Sequence, residues 1–206
     1  MPKESPPEIE AAALETLCLQ VRVAGFDPVK FLARAPTPPL PERVAAAERM
    51  LLKIGATRLT AGGAEVCALG RHLAALPCDV HTGKLLVLGA FLGVASAAAD
   101  AAAMLSVRSP LKSTQHDQQA DNFRVGLRNT LRPGGGKSDH CLQVALMQLW
   151  HEDRSNRGRR ELCQKAALAY ERMAEAATVR AQLVAGLRGL GFALGGEDDR
   201  NGSEWR

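Results

Sequence analysis

Aromatic side chains are scarce in this sequence: five Phe, two Trp and one Tyr among 206 residues. A core of stacked rings is therefore excluded, and Ala, Leu and Val must build the interior, a composition that suits packed helices better than a sheet sandwich. Stacking platforms, the usual device of single-strand nucleic-acid binders, are nearly absent. Cysteine is sparse as well: Cys18, Cys67, Cys78, Cys141 and Cys163 make an odd number and form no CxxC pair. That argues against a disulfide framework or a zinc ribbon and for reduced, buried thiols in an intracellular protein, cytoplasmic or nuclear. Cys78 and His81 lie three apart, but two ligands do not make a metal site, and none is expected. Long apolar runs are lacking too. The longest, 85–99, is interrupted by Gly89, Gly93 and Ser96 and falls short of the roughly 18–20 residues a membrane span needs, so no membrane partner is expected. The opening MPKESPPEIE is charged and Pro-rich, unlike a secretory signal.

What is present is charge and helical periodicity. The net charge of +4 is mild, but Arg154, Arg157, Arg159 and Arg160 fall within seven residues that hold no acid. Leu14, Leu17, Cys18 and Val21 predict an amphipathic helix over 8–24, with Gly25 at its end. Asp27-Pro28 restarts the chain into a short turn carrying Phe31 and Leu32, and the proline-rich PTPPLPE (36–42) reads as a stiff linker. A second helix is predicted over 42–54, stopped by Gly55. A small hairpin follows, turning on Ala61-Gly62-Gly63, and then a helix over 70–76 that ends at Pro77. Two helices followed by a hairpin read as a winged-helix-like unit over 7–77.

The remainder reads as a helical bundle over 78–192, with a polar tail at 193–206. Segments 83–92 and 95–107 are nearly all apolar and are expected at its centre. Ser109-Pro110 breaks the pattern. Further helices are predicted near 116–128, 139–151, 159–171 and 174–190, the third-last of these four carrying Leu142, Ala145, Leu146 and Leu149 on one face.

The run GGGKS at 134–138 imitates the end of a phosphate-binding loop. The full motif requires a glycine at position 131, and that residue is Leu131; the segment before it is too polar for a buried strand. A glycine loop leading to a helix whose N-cap is Ser138 or Asp139 explains the same residues.

Several motifs occur in one order: PEIEAAALETLCLQVRVAGF, DPVKFLARAPTPP, LLKIGA, LTAGGAEVCALGRHLAALPCDVHTGKLL, AAAMLSVRSP and SDHCLQVALMQLW. Together they resemble the C-terminal region of DEAH-box ATP-dependent RNA helicases, over about residues 7–192. The resemblance implies a mostly α fold: a degenerate winged helix, with its small β-hairpin, packed on a helicase-associated "ratchet" bundle. It implies single-stranded RNA, RecA-like motor domains and an oligonucleotide-binding barrel as partners. ATP and Mg²⁺ belong to the resembled full-length helicase. Walker A, DEAH and QRxGRxGR motifs are absent here, so no cofactor and no catalytic residue are expected in this chain. The two ends resemble junctions toward the motor and the barrel, as in a middle piece cut on both sides. Two departures stand out. Ala166 and Ala169 replace residues that are usually polar in the family, and RNTLRPGGGK before SDH is longer than usual.

The phosphate-contacting candidates are Arg154, Arg157, Arg159, Arg160, Lys165, Arg172 and Arg180, since phosphate neutralisation asks for Lys and Arg and carries no base information. A solvated charged face fits the same residues. Ser138, Asp139 and His140, matching the family's SDH, and Arg71 are expected in structural or interdomain roles, Arg71 paired to an acid or a carbonyl. Two further readings stay open: a scaffold docking onto separate motor domains, which would expose an apolar patch, and a stand-alone winged-helix DNA binder. The second is disfavoured because Arg43, Arg49 and Lys53 are balanced by Glu42 and Glu48.

Overall fold

The computed structural model of the protein describes residues 14–131 and 135–194. The chain is mostly helical, with one small antiparallel sheet, and divides into two compact units, the first ending at Val87 and the second beginning at Leu88. The division falls later than residue 77.

The first unit begins with α1 (Leu14–Val23), which buries Leu14, Cys18, Leu19 and Val21; residues 8–13 of the expected helix and the start of its unit lie outside the described residues. The short α2 (Pro28–Leu32) is capped by the Asp27 carboxylate, which accepts from Lys30 N at 3.0 Å. α3 (Pro41–Ile54) buries Val44, Ala47, Leu51 and Ile54 at helical spacing. It ends as its sequence demands: Gly55 takes a left-handed φ of 79°, and Ala56 N donates back to Leu51 O. β1 (Thr57–Thr60) and β2 (Gly63–Val66) then pair with Thr60 opposite Gly63, so the connecting loop is Ala61-Gly62. Arg22 joins these pieces. Its guanidinium donates to Glu48 on α3 (Nε–Oε2 2.7 Å) and to Ala64 O on β2 at 3.0 Å.

The helix α4 (Ala68–Ala75) lies very close to the hairpin at Gly70. A Cβ there would stand 2.2 Å from Ala56 O and 2.8 Å from a Val66 methyl, so only glycine permits this approach. α5 (Val80–Phe91) begins three residues ahead of the expected 83. Asp79 is the reason. Its carboxylate accepts from His81 N at 2.9 Å and Thr82 N at 3.1 Å, and from the Thr82 hydroxyl. Burial by itself would raise its pKa, but the Thr82 and His81 hydrogen bonds outweigh that and hold the carboxyl below its ordinary range.

In the second unit α6 (Ala95–Ser106) is the central helix, with every residue from Ala98 to Met104 buried. Its alanines let neighbours come near. A Cβ on Gly89 of α5 would sit 2.4 Å from the Ala98 methyl. α6 packs against α8 (Asp139–Glu152) and α10 (Tyr170–Gly189), while α7 (Gln118–Thr130) and α9 (Asn156–Lys165) complete the bundle. The α5 segment departs from expectation at its end, since Leu88, Phe91, Leu92 and the following Val94 are exposed rather than central.

The last two helices also differ from the predicted 159–171 and 174–190. The chain breaks at 166–169, where Ala167 adopts a φ of 49°, rare for a residue with a Cβ. Nothing in the sequence of the run Ala166-Ala167-Leu168-Ala169 announces a helix stop. Of the cysteines, Cys18 and Cys163 are buried, but Cys141 is exposed, against the reading of it as a core thiol. Burial pushes the Cys18 and Cys78 thiols up to about 12. Of the polar tail, 195–206 lies outside the described residues, and Leu194 is buried.

Inside the bundle Arg180 of α10 donates from Nε to Asp100 on α6 at 2.5 Å and from Nη2 to the Ser96 hydroxyl at 2.9 Å. Their side chains are 13% and 2% exposed, which makes this a buried ion pair. Two substitutions test the packing. Asp100→Ala leaves a buried guanidinium without its carboxylate and is expected to lower unfolding free energy by about 3 kcal/mol in urea titration. Gly70→Ala pushes a methyl into a carbonyl and is expected to cost about 2 kcal/mol by the same measurement.

Candidate nucleic-acid interface

The basic cluster lies where α8 ends and α9 begins. Ser155 caps α9, its hydroxyl accepting from Gly158 N at 3.0 Å. The Asp153 carboxylate in turn accepts from Ser155 N at 2.8 Å and from its hydroxyl at 2.7 Å. Gly158 makes room for this arrangement: a Cβ there would overlap the Asp153 carboxylate, 1.5 Å from Oδ2. The turn therefore presents 154–160 in one fixed conformation.

Within that frame the four arginines separate. Arg154 and Arg157 are exposed, and Arg157 pairs with Glu161 one turn on, at 3.0 Å; an exposed pair of this kind contributes little and yields readily to a stronger anion. Arg159 turns inward. It donates to the carbonyls of Trp150 at 3.3 Å and Asp153 at 3.0 Å, closing the end of α8, and its guanidinium lies 5.0 Å from the Trp150 ring centre. Arg160 lies 5.0 Å over the ring of Tyr170, which itself stands 5.3 Å from Trp150. Lys165 is exposed at the last turn of α9.

The two remaining candidates on α10 are occupied elsewhere. Arg172 donates to Ser109 O at 2.7 Å. Arg180 is the clearest departure from the expected phosphate role, because its guanidinium is held within the bundle by Asp100 and Ser96. A charge pattern in sequence cannot reveal a partner on a helix so far upstream.

Ser138 caps α8, accepting from Cys141 N at 3.4 Å. Asp139 pairs with Arg128 of α7, whose hydrogen bond holds its carboxyl below the usual range, and Arg128 also donates to Gly136 O at 3.0 Å. His140 Nδ1 is 3.5 Å from Gln143 Oε1. Arg71 donates to a carbonyl, Val66 O, at 3.5 Å. The Gly135–Lys137 turn thus follows a helix and is clamped by Arg128, leaving 132–134 outside the described residues. A phosphate-binding loop for a nucleoside triphosphate follows a strand, whereas here the element before the turn is the helix α7.

Sequence reasoning missed the residue that ties the site together. Arg124 of α7 donates to Ala166 O (2.8 Å), Ala167 O (3.0 Å) and Lys112 O (3.0 Å). With Lys112 N bonded to Ala167 O, Ala169 N bonded to Pro110 O and Leu111 bridged to Leu168, it joins 110–112 to the 166–169 turn. The result is an open concavity bounded by Lys112, Asp117, Arg160, Gln164, Tyr170 and Glu171. Its only advance signal was a basic pair, Arg124 and Arg128, at i,i+4 on α7.

Residues 79–175 match the family model described as helicase associated domain (HA2), ratchet-like. The chain is 33% identical over 153 residues to the chloroplastic DExH-box ATP-dependent RNA helicase DExH4 of Arabidopsis thaliana, covering 70% of this chain and 11% of that protein. It is 30% identical over 194 residues to human ATP-dependent RNA helicase DHX29, covering 92% and 14%. Human ATP-dependent DNA/RNA helicase DHX36 is 30% identical over 190 residues, covering 90% and 18%. The chain thus spans a small part of the length of the curated relatives it matches.

The α9 start gives a pH-dependent test. The Ser155 hydrogen bonds hold the Asp153 carboxyl below its ordinary range. A depressed carboxyl contributes stability above its unfolded pKa, and that contribution is lost as pH falls through the folded value. Amide exchange at 156–159 is therefore expected to accelerate as pH drops through the carboxylate range, beyond the intrinsic exchange rate. In Asp153→Asn this added acceleration should vanish.

Proposed function

With a helicase-associated, ratchet-like domain over 79–175 and likeness to DEAH/DExH-box RNA helicases along most of the chain as the premise, we propose that this chain guides single-stranded RNA and couples it to RecA-like motor domains. The helix–hairpin–helix arrangement of the first unit supports a degenerate winged helix. An oligonucleotide-binding barrel is the expected further neighbour. ATP hydrolysis, with its Mg²⁺, is assigned to the motor and not to this chain.

The observation that carries the reading is the conjunction of that family match with a rigid, outward-facing basic turn. Arg154, Arg157 and Lys165 hold no buried partner among the described residues and stand exposed on the α8–α9 turn and α9. Cations placed so can follow a phosphate backbone without reading its sequence. Arg159, Arg172 and Arg180 are left out of this contact set, since each is engaged by the fold's own carbonyls or carboxylate.

A second reading, a docking scaffold, draws on the exposed apolar end of α5. Phe91 and Leu92 are 73% and 76% exposed, with Leu88 and Val94 beside them. This face suits the coupling half of the proposal, as a surface that motor domains cover. Nothing comparable favours a stand-alone DNA binder.

The test is binding of the purified chain to a ten-nucleotide uridine oligomer at several salt concentrations. Arg154→Ala, Arg157→Ala and Lys165→Ala combined are expected to weaken binding and to flatten the slope of log affinity against log salt by about 2. A folded chain that binds no RNA under any condition would leave the docking role alone.

A further inference from the structure

The concavity bounded by Arg160, Tyr170 and Glu171 has more than phosphate chemistry in it. Arg160 lies over Tyr170 with its ring-facing side covered, 5.0 Å from the centroid, while the residue as a whole is exposed. A guanidinium placed over a ring in this way has its other side open, and nucleobases stack on arginine planes as they do on aromatic rings. Tyr170 is steadied from the other direction by Trp150 at 5.3 Å and by Asn156, whose side-chain oxygen accepts from the phenol at 3.4 Å. The platform is thus fixed before any ligand arrives.

The rim supplies polar groups of differing freedom. Asp117 is committed, its carboxylate accepting from Ala120 N at 2.9 Å to cap α7. Glu171, exposed in the first turn of α10, lines the same concavity, and among the described residues no hydrogen bond holds its side chain. Gln164 stands one helical turn after Arg160 on the same face of α9, and Lys112 stands opposite. Arg157 lies one turn before Arg160, so the exposed phosphate contacts adjoin the concavity.

We propose that this concavity receives one unstacked guanine base of a bound RNA strand, its plane on Arg160 and its edge on Glu171. Guanine presents two neighbouring donors, N1–H and the 2-amino group, which match the two oxygens of a carboxylate. Uracil offers a single N–H flanked by carbonyl oxygens that the carboxylate repels, and adenine offers one amino group beside an acceptor. Base-edge pairing with a carboxylate discriminates in this manner wherever a base is splayed from its neighbours. The inference rests on the RNA-guiding reading above and adds base preference to it.

The sequence contains one tyrosine, which makes the experiment direct. The full chain carrying 3-fluorotyrosine gives one ¹⁹F resonance, from Tyr170. Titration with a uridine decamer bearing a single central guanosine is expected to move that resonance and to bind about tenfold tighter than the all-uridine decamer. The same decamer with an abasic central nucleotide should match the all-uridine affinity and leave the resonance in place. Glu171→Gln should abolish the guanosine preference, read as the ratio of the two decamers' affinities, and Arg160→Lys should reduce it by removing the planar cation. If the decamers bind with the expected salt dependence but equally, and the resonance does not move, the base site is refuted and the phosphate track stands. If no decamer binds, both readings fall.

Discussion

The buried pair between Asp100 and Arg180 is the constraint from which the second unit takes its arrangement. The two residues lie 80 positions apart, on α6 and α10, and the Ser96 hydroxyl joins them. A charge removed from water is tolerated only when its partner sits in one geometry, so the pair admits one register of α10 along α6. Alanines alone would not achieve that, because a smooth Ala-rich face accepts neighbouring registers nearly equally well. α10 has 20 residues and is about 30 Å long. Fixing Arg180 near its middle therefore also fixes Tyr170 at its first residue. The concavity at one end of the helix and the buried Leu187 near the other are set by the same contact.

Much of the architecture was legible because it is written in local chemistry. Gly55 ends α3, Ala61-Gly62 turns the hairpin and Ser138 starts α8 through interactions within a few residues. What was not legible depends on remote partners. The α9–α10 break sits in a run of Ala and Leu that favours helix, and it exists because Arg124 and Lys112 claim the carbonyls of Ala166 and Ala167. The early start of α5 was visible in principle, as Asp79 three residues before Thr82, but the apolar pattern further along concealed it. The exposed end of α5 was misjudged for the opposite reason: hydrophobicity shows what could be buried, not whether a partner is at hand.

The arginines teach the same lesson at the site. By sequence, Arg154, Arg157, Arg159, Arg160, Arg172 and Arg180 are equivalent cations. In the fold they divide by what their donors meet. Arg159 finishes a helix, Arg172 holds a loop carbonyl, Arg180 lies in an ion pair, and Arg160 covers a tyrosine ring. Arg154 and Arg157 are left facing solvent. An electrostatic footprint inferred from composition therefore overstates the surface available to an anion.

The joint made by Arg124 has a mechanical meaning. Three carbonyls from two separate stretches converge on one guanidinium, and the Leu111–Leu168 bridge and Arg172 close the same seam. A strand drawn across α9 would load these bonds together, in shear, instead of peeling them apart in sequence. Tension would pass from α9 through the guanidinium into α7 with little slack in the intervening turn. The seam acts as a rivet, and the helices on either side of it yield as one piece.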